Sequence, residues 1–397
     1  MTAHPSVDER IGALLRGGWP RFSDGERRRR RAAIVEAGAS RDADLVVVYG
    51  ANRSGSAVPW LCGWPVSREA VLVVDAERGE DVMFVQFHNH VPLAAELADC
   101  DVRWGGPSTV DAVVDELVAR GAGSRSLALV GPIPYPFHAR LAGVAAGWVG
   151  LGAEYTRLRL HKSDEEMDWL RAGAYLSDLG VTALRDGLRP GMTDHQLADL
   201  IERAYVPLGG TTHIHYLNVT SMAAPTRGVP AQLTTGRALR PDDVVVTEIS
   251  AAFHGYAGQV LRTMTPAAAL EAPFDELHDV AQAAFDAVCL AIVPGATPAE
   301  VVAAARVIED AGFTTIDDLV HGFGGGYLPP VLGSRSRPAG PLPDVTFEEG
   351  MTVVVQPNVT TPDHRAGVQT GELVEVTASG ARSLHRVATG PWLSAGE

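Results

Sequence analysis

Leu239-Arg-Pro-Asp-Asp-Val-Val-Val-Thr-Glu248 and Phe347-Glu-Glu-Gly-Met-Thr-Val-Val-Val-Gln356 carry one pattern twice: a polar turn, a run of valines, and a polar residue where the run stops. A short β-branched run after a turn signal reads as a buried strand. The two copies are offset by 108 residues (356 minus 248). A second pair precedes them. Pro190-Gly-Met-Thr-Asp-His-Gln-Leu197 and Pro294-Gly-Ala-Thr-Pro-Ala-Glu-Val301 lie 104 residues apart (294 minus 190), and each ends one helical pattern and starts the next. A repeat of this kind is one supersecondary unit used twice. Each half then reads helix, Pro-Gly-x-Thr turn, helix, strand. Two such halves related by a pseudo-two-fold would bring Glu248 and Gln356 to matching places in one cleft. Duplication could serve structure alone, but polar strand ends favour a cleft.

Working outward, the first half opens at Ser163-Asp-Glu-Glu166, a capping box in which the serine accepts from a free helix N–H and the glutamate reaches back. Met167, Leu170 and Ala174 continue an apolar face beyond it. Upstream, Leu45–Tyr49, Ala70–Val74, Val82–Phe87 and Ser126–Val130 are short apolar runs separated by helix-like stretches, the pattern of a mixed α/β sheet. The domain boundary is expected between Gly150 and Lys162.

Hydrophobic residues at 46% and charged residues at 20% allow folded domains with sizeable cores and exclude disorder for the bulk. A formal net charge of −15 repels phosphate backbones and anionic lipid, so no nucleic-acid and no membrane partner is expected. The basic run Arg27 to Arg31 follows Ser23 and reads as the solvated face of a helix starting there. Cys62, Cys100 and Cys289 show no disulfide or metal spacing, which fits a reducing cytoplasm. The first residues hold no apolar core of signal-peptide length, and no run is long enough to span a bilayer.

Four segments stand in a recognisable order: Leu160-His-Lys-Ser-Asp-Glu-Glu-Met-Asp-Trp-Leu-Arg-Ala172, Val244-Val-Val-Thr-Glu-Ile-Ser-Ala-Ala-Phe-His-Gly-Tyr-Ala-Gly-Gln-Val-Leu-Arg-Thr263, Val320-His-Gly-Phe-Gly324 and Gly350-Met-Thr-Val-Val-Val-Gln-Pro357. On them the chain resembles the creatinase, aminopeptidase P and prolidase group of family M24, the pita-bread proteins. The resemblance implies an α+β protein. A small α/β N-terminal domain over residues 1–155 would precede a pita-bread catalytic domain over 156–397, in a homodimer.

In metal-using members of that group two Asp, one His and two Glu bind two divalent ions. By the resemblance those positions fall here on Glu248, Gln259, His321, Gln356 and Gly371, with Glu372 next along. Two amides and a glycine cannot supply the anionic oxygens that a pair of hard cations needs. No metal and no other cofactor is therefore expected. A single ion held by Glu248, His321 and Glu372 would require a one-residue strand slip, because neighbouring strand residues face opposite ways. The histidines that assist amide cleavage in peptidase members fall on Ala231 and Leu328. Creatinase keeps the fold and hydrolyses a C–N bond without metal; its shared Arg matches Arg262, but its catalytic His falls on Ala231.

The remaining residues suit proton transfer. Glu248 and His321 are the acid/base pair, and Gln259, Gln356 and Gln369 supply amides for a polar small molecule. His213 and His215 alternate in Thr211-Thr-His-Ile-His-Tyr-Leu-Asn218, so both would face one side, as substrate contacts, core residues or a metal pair. Arg262 and Glu372 complete the set. Arg53 and Trp60 sit on a loop that, by the resemblance, either reaches a partner's cleft or is ordinary surface. The expected function is metal-independent acid/base chemistry on a small polar nitrogen-containing molecule, with C–N hydrolysis first and lyase or isomerase chemistry next. A metal-dependent Xaa-Pro peptidase and a non-catalytic ligand-binding pseudoenzyme are the alternatives.

Overall fold

A computed structural model of the protein describes residues 8–393, which fall into two compact units: residues 19–159, and residues 8–18 together with 160–393. Residues 8–18, expected in the N-terminal domain, group instead with residues 160–393. Helix Glu9–Arg16 packs on the long helix Asp164–Gly187, where Arg10 pairs with Asp168 at 2.5 Å.

Residues 19–159 are built on strands β1 (Leu45–Ala51), β2 (Glu69–Asp75), β3 (Val82–Val85), β4 (Asp101–Trp104), β5 (Ser126–Val130) and β6 (Gly147–Gly150). They form a six-stranded mixed sheet in the order β4-β3-β2-β1-β5-β6. Side chains alternate across a strand, so a continuous apolar run buries both faces. Leu45, Val47, Tyr49, Val71 and Val73 enter one core, while Val46, Val48, Leu72 and Val74 enter the other. Helix Asp24–Ala39 starts on the Ser23 cap, but its basic run is not simply solvated. Arg30 is fully buried, paired with Glu26 at 2.6 Å and donating to the Trp60 carbonyl at 2.8 Å.

The second unit opens on the capping box at Ser163 and Glu166, which starts helix Asp164–Gly187. Its repeat is legible bond by bond. Gly191 and Gly295 adopt φ of 91° and 89°, a left-handed turn open to glycine at little cost. Gly191 N–H donates to Leu239 O (2.7 Å), and Gly295 N–H donates to Phe347 O (2.8 Å). Thr193 with Gln196 and Thr297 with Glu300 then form matching capping boxes for helices Asp194–Tyr205 and Pro298–Ala304.

Strands β7 (Thr211–Ser221), β8 (Asp243–Phe253), β9 (Tyr256–Thr265), β10 (Thr314–Thr315), β11 (Val320–Phe323), β12 (Tyr327–Leu332), β13 (Thr352–Val355), β14 (Asn358–Thr360), β15 (Gly367–Gln369), β16 (Gly371–Thr377), β17 (Gly380–Ser383) and β18 (Trp392–Leu393) follow. The larger sheet runs β12-β11-β13-β16-β9-β8-β7, with β17 on β16 and β18 on β9; β10, β14 and β15 form a smaller one. Both strands named by the repeat, β8 and β13, are buried along their length. Asp243 anchors β8 from a fully buried position by two bonds from Arg237 (2.6 and 2.8 Å) and one from Arg240 N–H (2.7 Å). All three cysteines are free thiols, and among the described residues no helix is long and apolar enough to cross a membrane.

Candidate functional site

Glu248 sits on β8 opposite Tyr216 of β7 and Leu261 of β9. Gln259 faces Ser250, one diagonal step away, so its side chain leaves the sheet on the same side as Glu248. On β13, Val353 and Val355 enter the hydrophobic core, and Gln356 turns to the opposite face at the strand end. The three side chains meet: Gln259 Nε2 donates to Glu248 Oε1 at 2.7 Å and to Gln356 Oε1 at 3.0 Å. All three are at least nine-tenths buried, so this amide bridge satisfies groups that would otherwise be costly.

His321 on β11 pairs with Val354 of β13 and Val331 of β12. Its Nδ1 lies 3.2 Å from Gly322 O; a carbonyl only accepts, so Nδ1 carries the proton and Nε2 is left as a base. Tyr327 stacks on the imidazole with ring centroids 4.1 Å apart. Glu248, Gln259, His321 and Gln356 line one cavity of about 320 Å³, the size of a small-molecule site.

Burial, reinforced by the nearby Asp317 carboxyl, pushes the Glu248 carboxyl up to about 8. Burial pulls His321 down to about 4. At neutral pH the cavity therefore holds a protonated glutamic acid and a neutral imidazole.

The other expected residues divide. His213 lines the cavity beside Phe323, with ring centroids 5.9 Å apart. His215 does not share that side. A β-bulge between Thr212 and Ile214 breaks the two-residue alternation, and His215 instead bonds Tyr205 Oη at 2.6 Å. Arg262 is fully buried off the cavity, donating to the carbonyls of Gly371 (2.9 Å) and Ala388 (2.9 Å) and pairing with Glu372. Glu372 also accepts from Ser383, so it points away from Glu248 and His321, as strand alternation from the closed-in Gly371 requires. Gln369 is fully buried beside Thr263 and outside the cavity lining. Trp60 packs edge-on against Tyr155 in the core of residues 19–159, with centroids 5.6 Å apart. Arg53 is exposed at a turn with φ 57°.

Four polar lining residues were not singled out by sequence: Tyr216, Gln232, Asp317 and Tyr327. Asp317 had a signal, the acidic doublet Asp317-Asp318 just before the Val-His-Gly strand. Tyr216 lies next to the expected His215 on a strand whose facing the bulge reverses.

The residues present do not fit a metal pair. Gln259 occupies one Glu248 oxygen with a neutral N–H donor, Glu372 is spent on Arg262, and Gly371 has no room for a carboxylate. A Cβ at Gly371 would overlap the Val355 carbonyl oxygen and approach Gln356 Cα to 2.9 Å. Among the described residues, no group of three or more His, Cys, Asp or Glu is arranged to hold an ion.

The model of metallopeptidase family M24 matches residues 168–378. The chain is 27% identical over 236 residues to an Xaa-Pro dipeptidase of Lactobacillus helveticus, covering 57% of this chain and 60% of that protein. It is 30% identical over 234 residues to a probable dipeptidase, PepE, of Mycobacterium tuberculosis, covering 58% and 59%. It thus spans about three-fifths of the length of the curated relatives it matches. Among solved structures, the prolidase from Pyrococcus horikoshii OT3 superposes with a TM-score of 0.77 at 17% identity, over 91% of this chain and 99% of that one. Dipeptidase PepE from Mycobacterium ulcerans gives 0.76 at 24%, over 94% and 100%. Likeness at such identities establishes the fold, a pita-bread architecture of duplicated αβ halves. With the family match extending over more than half of its length, the chain belongs to metallopeptidase family M24.

Proposed function

We propose that the protein hydrolyses C–N bonds in small peptide-like molecules, using Glu248 as general acid and His321 as general base, without a bound metal. The observation that carries this reading is the Gln259 amide, which ties Glu248 to Gln356 at positions where the resemblance implies metal-binding carboxylates. Neutral His321 Nε2 takes a proton from water as its oxygen attacks the carbonyl-type carbon. Gln356 accepts from Gln259 through Oε1 and also hydrogen-bonds the His321 side chain, so it orients the base. As the C–N bond breaks, protonated Glu248 gives its proton to the leaving nitrogen. The proton on His321 then returns to Glu248 through water, and the pair is reset. Lyase or isomerase chemistry needs the same two groups and is the next reading. A homodimer in the cytoplasm belongs to the same proposal.

A metal-dependent Xaa-Pro dipeptidase is the second reading, and the family and the names of its relatives favour it over the first. The donor set at Gln259, Gln356 and Gly371 stands against it. The two separate in an assay of Xaa-Pro dipeptides and other small amides, run with and without chelator on wild type, Glu248→Gln and His321→Ala. Turnover that resists chelation and is lost in both variants supports the first reading. Turnover restored only by added divalent ions supports the second. Tight binding with no turnover of any substrate sinks both.

A further inference from the structure

The acidic doublet beside His321 is used unequally. Asp318 accepts from Tyr327 Oη and pairs with Arg337 at 3.2 Å. Asp317 makes no ion pair among the described residues; its Oδ1 accepts the Asp318 N–H at 2.8 Å, and Arg337 reaches it only as a more distant field. Asp317 lines the cavity with Glu248, so two carboxyl groups face one small volume and no Lys or Arg lines it. The remaining walls are amides, the imidazoles of His213 and His321, the rings of Tyr216, Phe323 and Tyr327, and three aliphatic side chains. Two carboxyl groups sharing a site cannot both ionise cheaply, so one keeps its proton and the other awaits a cation. Aromatic faces favour the same partner.

We propose that Asp317 is the receptor for a positively charged nitrogen group on the substrate, an ammonium or amidinium, held between its carboxylate and the aromatic wall. The division of labour is then complete: Glu248, bridged to Gln259, keeps the proton it donates, and Asp317 ionises to fix the cation. This inference rests on the cavity being the substrate site but not on hydrolysis taking place there.

Benzamidinium and benzamide are near-isosteric probes, one cationic and one neutral, and their dissociation constants can be measured by titration calorimetry. Wild type is expected to prefer benzamidinium by about tenfold or more, the effect of one desolvated charge pair. Asp317→Asn keeps the Oδ1 acceptor for Asp318 and should bring the ratio close to one with an unchanged unfolding temperature. Asp317→Ser gives the same reading if the first variant folds poorly. Equal binding of the two probes, binding of neither, or a preference untouched by both variants overturns the proposal. So does Asp317-dependent uptake of Mn²⁺ in place of the organic cation. A protein that turns over no amide yet keeps the Asp317-dependent preference retains the cation site and loses only the hydrolase reading.

Discussion

Gln259 Nε2 lies 2.7 Å from Glu248 Oε1 and 3.0 Å from Gln356 Oε1, so one neutral amide serves two acceptors at the floor of the cavity. An aspartate at this position would lose both donated bonds and bury a further carboxyl beside one already desolvated. Gln259→Asp is expected to destabilise the fold by about 1–3 kcal/mol at neutral pH, measured by denaturant unfolding. Unchanged stability, or stability gained on adding Mn²⁺, would mean that the variant is recruiting an ion.

The pH dependence of turnover follows from the two groups. Glu248 must hold its proton to act as an acid, so activity falls as pH rises through about 8. His321 must be neutral to act as a base, so activity falls as pH drops through about 4. A bell-shaped kcat/KM profile between those limbs is expected. Glu248→Gln should lower kcat by about a hundredfold or more and remove the alkaline limb.

Stability carries the same signs by linkage. The folded Glu248 keeps a proton that the unfolded chain has released, so its contribution erodes as pH rises from the model-peptide value of 4.5 towards about 8. His321 works in reverse: the folded form resists protonation, and stability erodes as pH falls from 6.5 towards about 4. Unfolding free energies of wild type and Glu248→Gln, compared at the two ends of the first window, should diverge. Wild type should lose the more on the alkaline side.

Arg262 and Glu372 form a buried ion pair whose work is structural. Arg262→Ala should cost about 3–5 kcal/mol by leaving a buried carboxylate unpaired. Arg262→Met combined with Glu372→Leu should recover much of that loss. KM of the folded double variant should stay near wild type; a large rise would place Arg262 in contact with substrate after all.

Much of this was legible in the sequence, and the reasons are local. The Pro-Gly-x-Thr turns, their capping boxes and the valine strands depend on short-range chemistry, and the structure forms each one. Strand alternation also leads from Val355 to Gln356 at the cleft. Alternation fails where a bulge intervenes, which is why His213 and His215 part company. It also says nothing about partners brought from far along the chain. Arg262 meets Glu372, 110 residues away, and Arg30 meets the Trp60 carbonyl, 30 residues away. Such pairings make buried structural charges out of residues that read as site or surface candidates. Asp317 was missed for a related reason: it lies on a loop, and only the folded cavity distinguishes it from Asp318.

The most direct test of the account is the metal content of protein purified without chelator, set beside its activity before and after chelation. The donor set predicts well under about one ion per chain and turnover unaltered by chelation. About two divalent ions per chain, whose removal abolishes turnover and whose return restores it, would contradict the metal-free site.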